Sequence, residues 1–174
     1  TDLRAALGRA RRAVDVLRRV GAAVGRVELT ELLHLIVDTT TDVLCAERAT
    51  LYLRDGERLV ARVKRGGEDV EITLARGQGI AGHVAETGET VHVVDAYSDP
   101  RFDRSWDRKS GYRTKTMLAV PLRDQREQVI GVLQVLNKQC LDGRDRMVRF
   151  NRHDTELLEA LSIQAAVAID MGSL

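Results

Sequence analysis

The stretch "LARGQGIAGHVAETGE", residues 74–89, decides how this chain folds. Its glycines Gly77, Gly79 and Gly82 have the spacing G-x-G-x-x-G, which in a Rossmann fold holds a dinucleotide pyrophosphate. That fold also requires a buried strand before the glycines, a long helix after them and further βαβ units. Here the preceding "VEITLAR" is short and half polar, and Gly88 ends the helix after about two turns. The stretch therefore predicts a short helix entered through a glycine turn, and it disfavours a dinucleotide fold.

The first turn of that short helix predicts an anion site. Gly77 and Gly79 permit a tight turn, and the N–H groups of Ile80 and Ala81 then begin the helix without helical acceptors. Such a helix end attracts anions, phosphate included, without any charged side chain. The alternative is a helix start whose N–H groups are bonded only to water, and the glycine pattern alone leaves both open.

The period of the apolar residues on either side of this stretch changes between helix and strand. Amphipathic helices are predicted for "ELTELLHLIVDTTTDVL" and "HDTELLEALSIQAAVAI". Alternating patterns predict strands for "ATLYLRD", "RLVARVKR", "VEITLAR", "TVHVVD", "KTMLAVPLRD" and "QVIGVLQVLNK". Because short turns join most of these strands, the sheet should be mainly antiparallel. The predicted fold class is α+β, with a central sheet of about six strands.

The first residues predict a separate helix. Apolar residues recur there at alternating spacings of four and three, the heptad pattern of a coiled coil, at Leu3, Leu7, Ala10, Val14, Leu17, Gly21 and Val24. An ordinary amphipathic helix is the alternative. We predict a connecting and dimerisation helix over residues 1–25 and a second unit over residues 26–174, the partner being a second copy of the chain. The final helix is expected to add its apolar row to that interface, at Leu158, Leu161, Ala165 and Ala168. Because the chain begins at Thr1 without a methionine, we also expect a covalently attached effector domain in a longer protein.

Composition argues against several classes of function. Lys and Arg total 27 against 26 Asp and Glu, so the charge balance does not indicate a nucleic-acid binder. No apolar run approaches the roughly 20 residues that span a membrane. The two cysteines, Cys45 and Cys140, lie far apart and predict reduced thiols in a cytoplasmic protein. The excess of Arg over Lys indicates a bacterial source with a GC-rich genome.

Catalysis, metal binding and a bound cofactor are not expected from the sequence. The histidines lack cysteine or carboxylate neighbours at metal-ligand spacing; they are His34, His83, His92 and His153. No nucleophile motif of the hydrolases or metalloproteases occurs.

Three longer segments together resemble a GAF domain: "GQGIAGHVAETGE", "DAYSDPRFDRSWDRKSGYRTKTMLAVPL" and "VIGVLQVLNK". They are most similar to the subgroup that regulates mammalian cyclic-nucleotide phosphodiesterases and cyanobacterial adenylyl cyclases. The similarity extends from Leu29 to Ile169. It implies that the helices of both termini pack on one face of the sheet, with a ligand pocket under a lid on the other. Residues 26–174 would then be a GAF sensory domain.

That subgroup has a motif of Asn and Lys, a variable gap, Phe, three residues, and Asp-Glu. Asn137, Lys138, Phe150 and Asp154 match it, whereas Thr155 follows in place of the glutamate, which comes one residue later as Glu156. The resemblance implies that Lys138 and Asp154 form an ion pair that supports the pocket without touching the ligand.

The resemblance also implies a set of ligand contacts. Base-edge contacts would fall at Thr50, Lys64 and Arg65, and the N–H groups of Ile80 and Ala81 would hold a cyclic phosphate. The lid and the floor of the pocket would supply the remaining contacts, from Phe102, Asp103, Asp107, Ser110, Thr114 and Gln134. The lid also holds the aromatic residues Tyr97, Phe102, Trp106 and Tyr112, which either stack on a base or pack the lid onto the sheet.

Two departures from the subgroup bear on the ligand. Arg65 and Gln134 stand where some members that bind cyclic GMP have acids. Guanine needs a hydrogen-bond acceptor, which Arg cannot offer, so cyclic AMP is favoured over cyclic GMP. The sequence thus predicts a regulatory sensor that binds a small ligand. The alternative is a GAF-fold dimerisation spacer with no nucleotide ligand, or with another small molecule.

Overall fold

The computed structural model describes residues 4, 8–9, 11–12, 29–65, 68–139 and 148–172. The side chains of residues 29–30, 64–65, 68–69 and 171–172 are not part of that description. The heptad residues of the N-terminal helix, the domain boundary at residues 25–26 and Cys140 therefore lie outside the described residues. The division into two units stays a prediction.

Six strands and four helices follow one another in the described part of residues 29–172. They are α1 (Leu29–Leu44), β1 (Ala46–Asp55), β2 (Arg58–Arg65), β3 (Glu68–Leu74), α2 (Gly79–Thr87), β4 (Val91–Val93), α3 (Ser105–Ser110), β5 (Met117–Arg123), β6 (Val129–Lys138) and α4 (Arg152–Gly172). A 3-10 turn at Ala96–Ser98 lies between β4 and α3. The predicted α+β class is confirmed.

One six-stranded sheet organises the domain, in the order β3-β2-β1-β6-β5-β4. Every neighbouring pair is antiparallel. Because side chains alternate along each strand, the sheet has two apolar faces. The face covered by α1 and α4 is called the helix face. The other is called the lid face, since α2 and the lid, residues 96–116, pack on it.

The core of the helix face fixes both long helices on the sheet. Leu32 and Ile36 of α1 pack with Leu158 and Leu161 of α4 against Leu133 of β6. Full burial of one such side chain contributes about 1.5–3 kcal/mol. Phe150 is buried in the same core, which gives this residue of the sequence motif a packing role.

This core overturns one interpretation of the last helix. The apolar row Leu158, Leu161, Ala165 and Ala168 was predicted to add to a dimer interface. All four side chains are buried against the domain's own sheet. An amphipathic row predicts that its apolar side chains are buried, but not which surface buries them. Here that surface is the sheet. On α4 the exposed large apolar side chains within the described residues are Ile163 and Val167.

Candidate ligand site

The glycine turn before α2 forms for a steric reason. Gly77 and Gly79 have φ angles of 71° and 69°, a region that residues with a Cβ rarely adopt. A Cβ on Gly82 would lie 2.6 Å from the carbonyl carbon of Gly77, so the helix starts folded back on its own turn. Gly88, with φ 70°, ends α2 and donates its N–H to the Val84 carbonyl. The predicted short helix is confirmed, and the G-x-G-x-x-G spacing is explained by backbone geometry.

The first turn of α2 presents backbone N–H groups at the edge of a cavity. The first helical hydrogen bond runs from Gly82 N–H to the Gln78 carbonyl, at 3.0 Å. The N–H groups of Ile80 and Ala81 precede it and have no helical acceptor. Gln78 does not cap them, because its side chain accepts from Ala75 N–H and donates to Asp103.

A cavity of about 880 Å³ lies between the sheet and the lid. This volume is near the upper end of the roughly 300–1,000 Å³ typical of small-molecule sites. Its wall includes every predicted contact residue whose side chain is described: Thr50, Ile80, Ala81, Phe102, Asp103, Asp107, Ser110, Thr114 and Gln134. The side chains of Lys64 and Arg65 lie outside the described set. That the wall residues contact a ligand stays a prediction.

The floor of the cavity is a pair of neighbouring polar side chains and a tyrosine. Thr50 of β1 is paired in register with Gln134 of β6, and both are buried. Tyr52 lies two residues along β1 on the same face and was missed from the sequence, although the strand alternation points to it. Burial raises the pKa of Tyr52 to about 12, the Gln134 amide acting in the opposite direction and the Asp103 carboxylate in the same one. Tyr52 is therefore a neutral hydroxyl at physiological pH.

Asp107 holds the lid together. Its carboxylate accepts hydrogen bonds from the Tyr97 hydroxyl at 2.7 Å and from the Thr114 N–H and hydroxyl, each at 2.8 Å. The bond to Asp107 is also the main reason why the pKa of Tyr97 is raised. Ser110 donates to the Trp106 carbonyl at the end of α3. Asp107, Thr114 and Ser110 line the cavity, but these bonds join one part of the lid to another.

The aromatic residues of the lid divide between the two roles proposed for them. Phe102, Trp106 and Tyr112 line the cavity. Tyr97 packs inside the lid, with its ring centroid 5.4 Å from that of Phe102 and the Arg113 guanidinium 3.8 Å from it. A base could therefore stack on part of the cluster while the rest keeps the lid folded.

Asn137 ties the lid to the sheet. It has a positive φ of 55°. Its side-chain oxygen accepts from two backbone N–H groups, and its amide nitrogen lies within 2.9 Å of three oxygens; the partners are Lys115, Thr116, Glu47, Tyr112 and Arg113. The end of the lid is thereby fixed to the ends of β1 and β6.

The predicted pair of Lys138 and Asp154 is confirmed, with 2.5 Å between Lys138 Nζ and the carboxylate. Asp154 and Asn151 also bond each other's backbone N–H groups, a capping box at the start of α4. Glu156, the glutamate that stands one residue later than the motif requires, pairs at the surface with Arg152 and takes no part in this cluster. The motif thus joins β6 to the start of α4.

The charge of the wall limits what can bind. Among the described side chains the carboxylates outnumber the guanidinium groups: Asp38, Asp42, Glu47, Asp103 and Asp107 face Arg48 and Arg62. A bond from the Ser105 N–H is the largest cause lowering the pKa of Asp103, which is therefore ionised at neutral pH. A polyanion would meet repulsion here, whereas a singly charged group at the end of α2 would meet less.

The sequence profile of the GAF domain matches residues 28–169. The chain belongs to the GAF domain family. It is 37% identical over 143 residues to "Dual 3',5'-cyclic-AMP and -GMP phosphodiesterase 11" of Drosophila melanogaster, covering 70% of this chain and 10% of that protein. A Takifugu rubripes relative, "Dual 3',5'-cyclic-AMP and -GMP phosphodiesterase 11A", is 35% identical over 125 residues, covering 64% of this chain and 14% of that protein. The chain thus spans a small part of these relatives' lengths.

The GAF fold is also found in solved structures. The GAF domain of an Acinetobacter phosphoenolpyruvate-protein phosphotransferase superposes with a TM-score of 0.68 at 24% identity, covering 91% of this chain and 92% of that one. At this identity the likeness shows the fold alone. The GAF domain is a regulatory module, and it is this module that the chain matches.

Two other kinds of feature are absent from the described residues. They contain no group of three or more His, Cys, Asp or Glu side chains that could hold a metal ion. None of their helices is long and apolar enough to cross a membrane.

Proposed function

We propose that this GAF domain is a sensor in a larger signalling protein and binds a cyclic nucleotide in the cavity, cyclic AMP in preference to cyclic GMP. The observation that carries the proposal is the position of the Ile80 and Ala81 N–H groups, at a helix N-terminus that borders the cavity. A helix N-terminus attracts phosphate. The relatives named for cyclic AMP and cyclic GMP support the same ligand class.

The charge of the cavity wall supports a cyclic monophosphate over a nucleoside triphosphate. A cyclic phosphate has one negative charge, which uncharged N–H donors can hold. A triphosphate would bring several charges to a wall whose described carboxylates exceed its guanidinium groups. A triphosphate would also require a lysine or a metal-binding side chain in the glycine turn, and "GQGIAG" contains neither.

The floor and the lid supply the contacts for the base. Gln134 can donate and accept, Thr50 lies directly opposite it, and Phe102 and Trp106 offer aromatic faces from the lid. Arg65 would donate to a ring nitrogen of adenine, which is the basis for preferring cyclic AMP.

Calorimetry with cyclic AMP and cyclic GMP tests this proposal, and replacing Gln134 with leucine locates the site. We expect binding heat with cyclic AMP and an affinity lowered about tenfold or more in Gln134→Leu, because a ligand group loses its partner in a buried place. Gln128→Leu is the matched control, since Gln128 is exposed and outside the cavity wall. If neither nucleotide gives binding heat at millimolar concentration, the proposal is wrong, and the domain is either a dimerisation spacer or binds another small ligand.

We also propose that the sensor works as a homodimer through its terminal helices and passes its signal to an attached effector domain. A ligand can change the state of the effector only if the sensor has two arrangements and the ligand binds them with different affinity. The cytoplasmic location and the bacterial source stay predictions.

The dimer is tested by sedimentation velocity of the Leu17→Glu variant. Leu17 is in the heptad row, so a charge there should weaken association markedly if residues 1–25 form the interface. Arg19→Glu, two positions after Leu17 and on the outward side of the heptad, is the control and should associate as the parent does. A parent protein that sediments as a monomer at tens of micromolar, or equal association of the two variants, would contradict the proposed interface.

A further inference from the structure

The cavity reaches both faces of the sheet. On the lid face its wall includes Tyr52 and Ile80, which belong to the core beneath α2 and the lid. It also includes Val37 of α1 with Ala49 and Leu51 of β1, which belong to the core of the helix face. A continuous sheet would separate these two groups of residues. The cavity must therefore pass through the sheet.

The passage lies where the pairing of β1 with β2 stops. These strands pair at Asp55↔Arg58, Arg54↔Leu59 and Leu53↔Val60, and within the described residues the ladder extends no further. On its other side β1 remains paired with β6 down to Ala46↔Lys138, and β2 remains paired with β3 up to Arg65↔Glu68. We define the β1–β2 slot as the gap between residues 50–52 of β1 and residues 61–63 of β2.

The exposed part of the cavity wall lies mainly on the elements that border this slot. Most of the wall residues that are exposed come from α1, the start of β1 and β2: Asp38, Asp42, Glu47, Arg48 and Arg62. By contrast, the wall residues of β5 and β6 are buried or half-buried. Main-chain groups that a ladder would pair are left to water or a ligand in the slot, because strand N–H and C=O groups require partners.

The lid side of the cavity is fastened by many bonds. Asp107 joins Tyr97 to Thr114 across the lid, and Gln78 joins the turn before α2 to Asp103. Asn137 fixes residues 112–116 to the sheet. Opening the lid would break several of these bonds together, whereas the slot needs no bond of the ladder to break.

We propose that the β1–β2 slot is the entrance of the cavity, so that ligands reach it through the sheet and along α1, and not under the lid. An entering ligand passes the α1 residues that line the cavity, which include Asp38 and Thr41. These two lie about one turn apart on one side of the helix. The entrance thus brings the ligand against α1, the helix that follows residues 1–25 in the chain. The proposal concerns the cavity itself and holds for any ligand.

The test closes the slot with a disulfide and measures access to a buried thiol, without any ligand. Thr50 and Val63 would face each other if the ladder continued in register, so a disulfide between cysteines at these positions would draw the two strands to the about 4.4–6.8 Å between Cα atoms that it spans and thereby close the slot. The probe is Met117→Cys, since Met117 is buried on β5 and lines the cavity two strands away from β1. All variants also have Cys45→Ser and Cys140→Ser.

The measurement follows the reaction of the probe thiol with the aromatic disulfide reagent DTNB. The probe thiol is introduced by Met117→Cys, and the protein tested is oxidised Thr50→Cys/Val63→Cys. We expect the reaction to be slower by about tenfold or more than in the matched control Thr50→Ser/Val63→Ala, because the reagent must enter through the slot. Where oxidation fails to close the disulfide, Val63→Trp fills the slot in its place, with Val63→Ala as its control, and the expected result is the same. A protein with the slot closed in either way that reacts within about twofold of its control overturns the proposal.

Loosening the lid is the second arm of the test. Tyr97→Phe removes the bond to Asp107 and keeps the ring packing with Phe102. We expect this variant to change the reaction rate of the probe thiol by less than about twofold. An increase of about tenfold would make the lid the route of entry and overturn the slot.

Discussion

Replacing Asn137 with alanine is expected to lower the free energy of unfolding by about 3 kcal/mol, one of the largest effects of any single change in the domain. The side-chain oxygen accepts from the N–H groups of Lys115 and Thr116, and the amide nitrogen lies within 2.9 Å of oxygens of Glu47, Tyr112 and Arg113. Thr116 is buried, so its N–H would lose its partner in a place that water does not reach. An unsatisfied buried donor alone costs about 1–3 kcal/mol.

The backbone of Asn137 adds a second cost that can be measured separately. Its φ of 55° is a conformation that asparagine and glycine tolerate better than alanine. Asn137→Gly should therefore be more stable than Asn137→Ala, although alanine is ordinarily the better residue in regular structure. Urea unfolding of both variants gives the comparison, and melting temperatures about 6–12 °C below the parent are expected for the alanine variant. An Asn137→Gly variant less stable than Asn137→Ala by the roughly 0.5–1 kcal/mol that glycine ordinarily costs would show that the φ angle contributes nothing.

The same variants distinguish a support from a ligand contact. Asn137 is outside the cavity wall and fixes the lid from behind. If cyclic AMP binds, Asn137→Gly should weaken binding through a looser lid, and the loss should shrink as temperature falls and the lid refolds. Gln134→Leu should lose affinity equally at all temperatures at which the domain stays folded.

Local chemistry is what the sequence predicted well. The glycine turn, the short α2 and the six alternating strands each follow from a few consecutive residues, because φ preferences and period-two patterns act within a strand or a turn. Thr50, Gln134 and the α2 N–H groups were then brought to one cavity by the fold of the family.

Partners that lie far apart in the chain are what the sequence could not assign. The resemblance implied only a ligand contact for Asp107, whereas its three bonds go to Tyr97 and Thr114, which depend on the path of the lid. The row Leu158, Leu161, Ala165 and Ala168 looked the same whether it covered the sheet or a second chain. The contribution of α1 to the cavity follows from the early end of the β1–β2 ladder, and no residue pattern marks that end.

Replacing Asp154 with alanine is the second change for which a large loss is expected, again about 3 kcal/mol. Asp154 holds Lys138 at 2.5 Å and accepts from the Asn151 N–H at the start of α4. The Lys138 side chain is 16% exposed and that of Asp154 9% exposed, so removing the acid leaves a poorly hydrated charge and an open helix end.

The exposed ion pair of Arg152 and Glu156 on the same helix separates the contribution of burial from that of charge. Glu156 lies 3.4 Å from Arg152, with side chains 62% and 92% exposed, so Glu156→Ala should change stability by less than about 0.5 kcal/mol. Lys138→Met with Asp154→Leu should cost less than the two single changes added together, because the double variant leaves no uncompensated charge. Urea unfolding at neutral pH measures the five variants, which are Asp154→Ala, Glu156→Ala, Lys138→Met, Asp154→Leu and the double variant. Additive losses, or an effect of Glu156→Ala equal to that of Asp154→Ala, would mean that the buried pair does not support the link between β6 and α4.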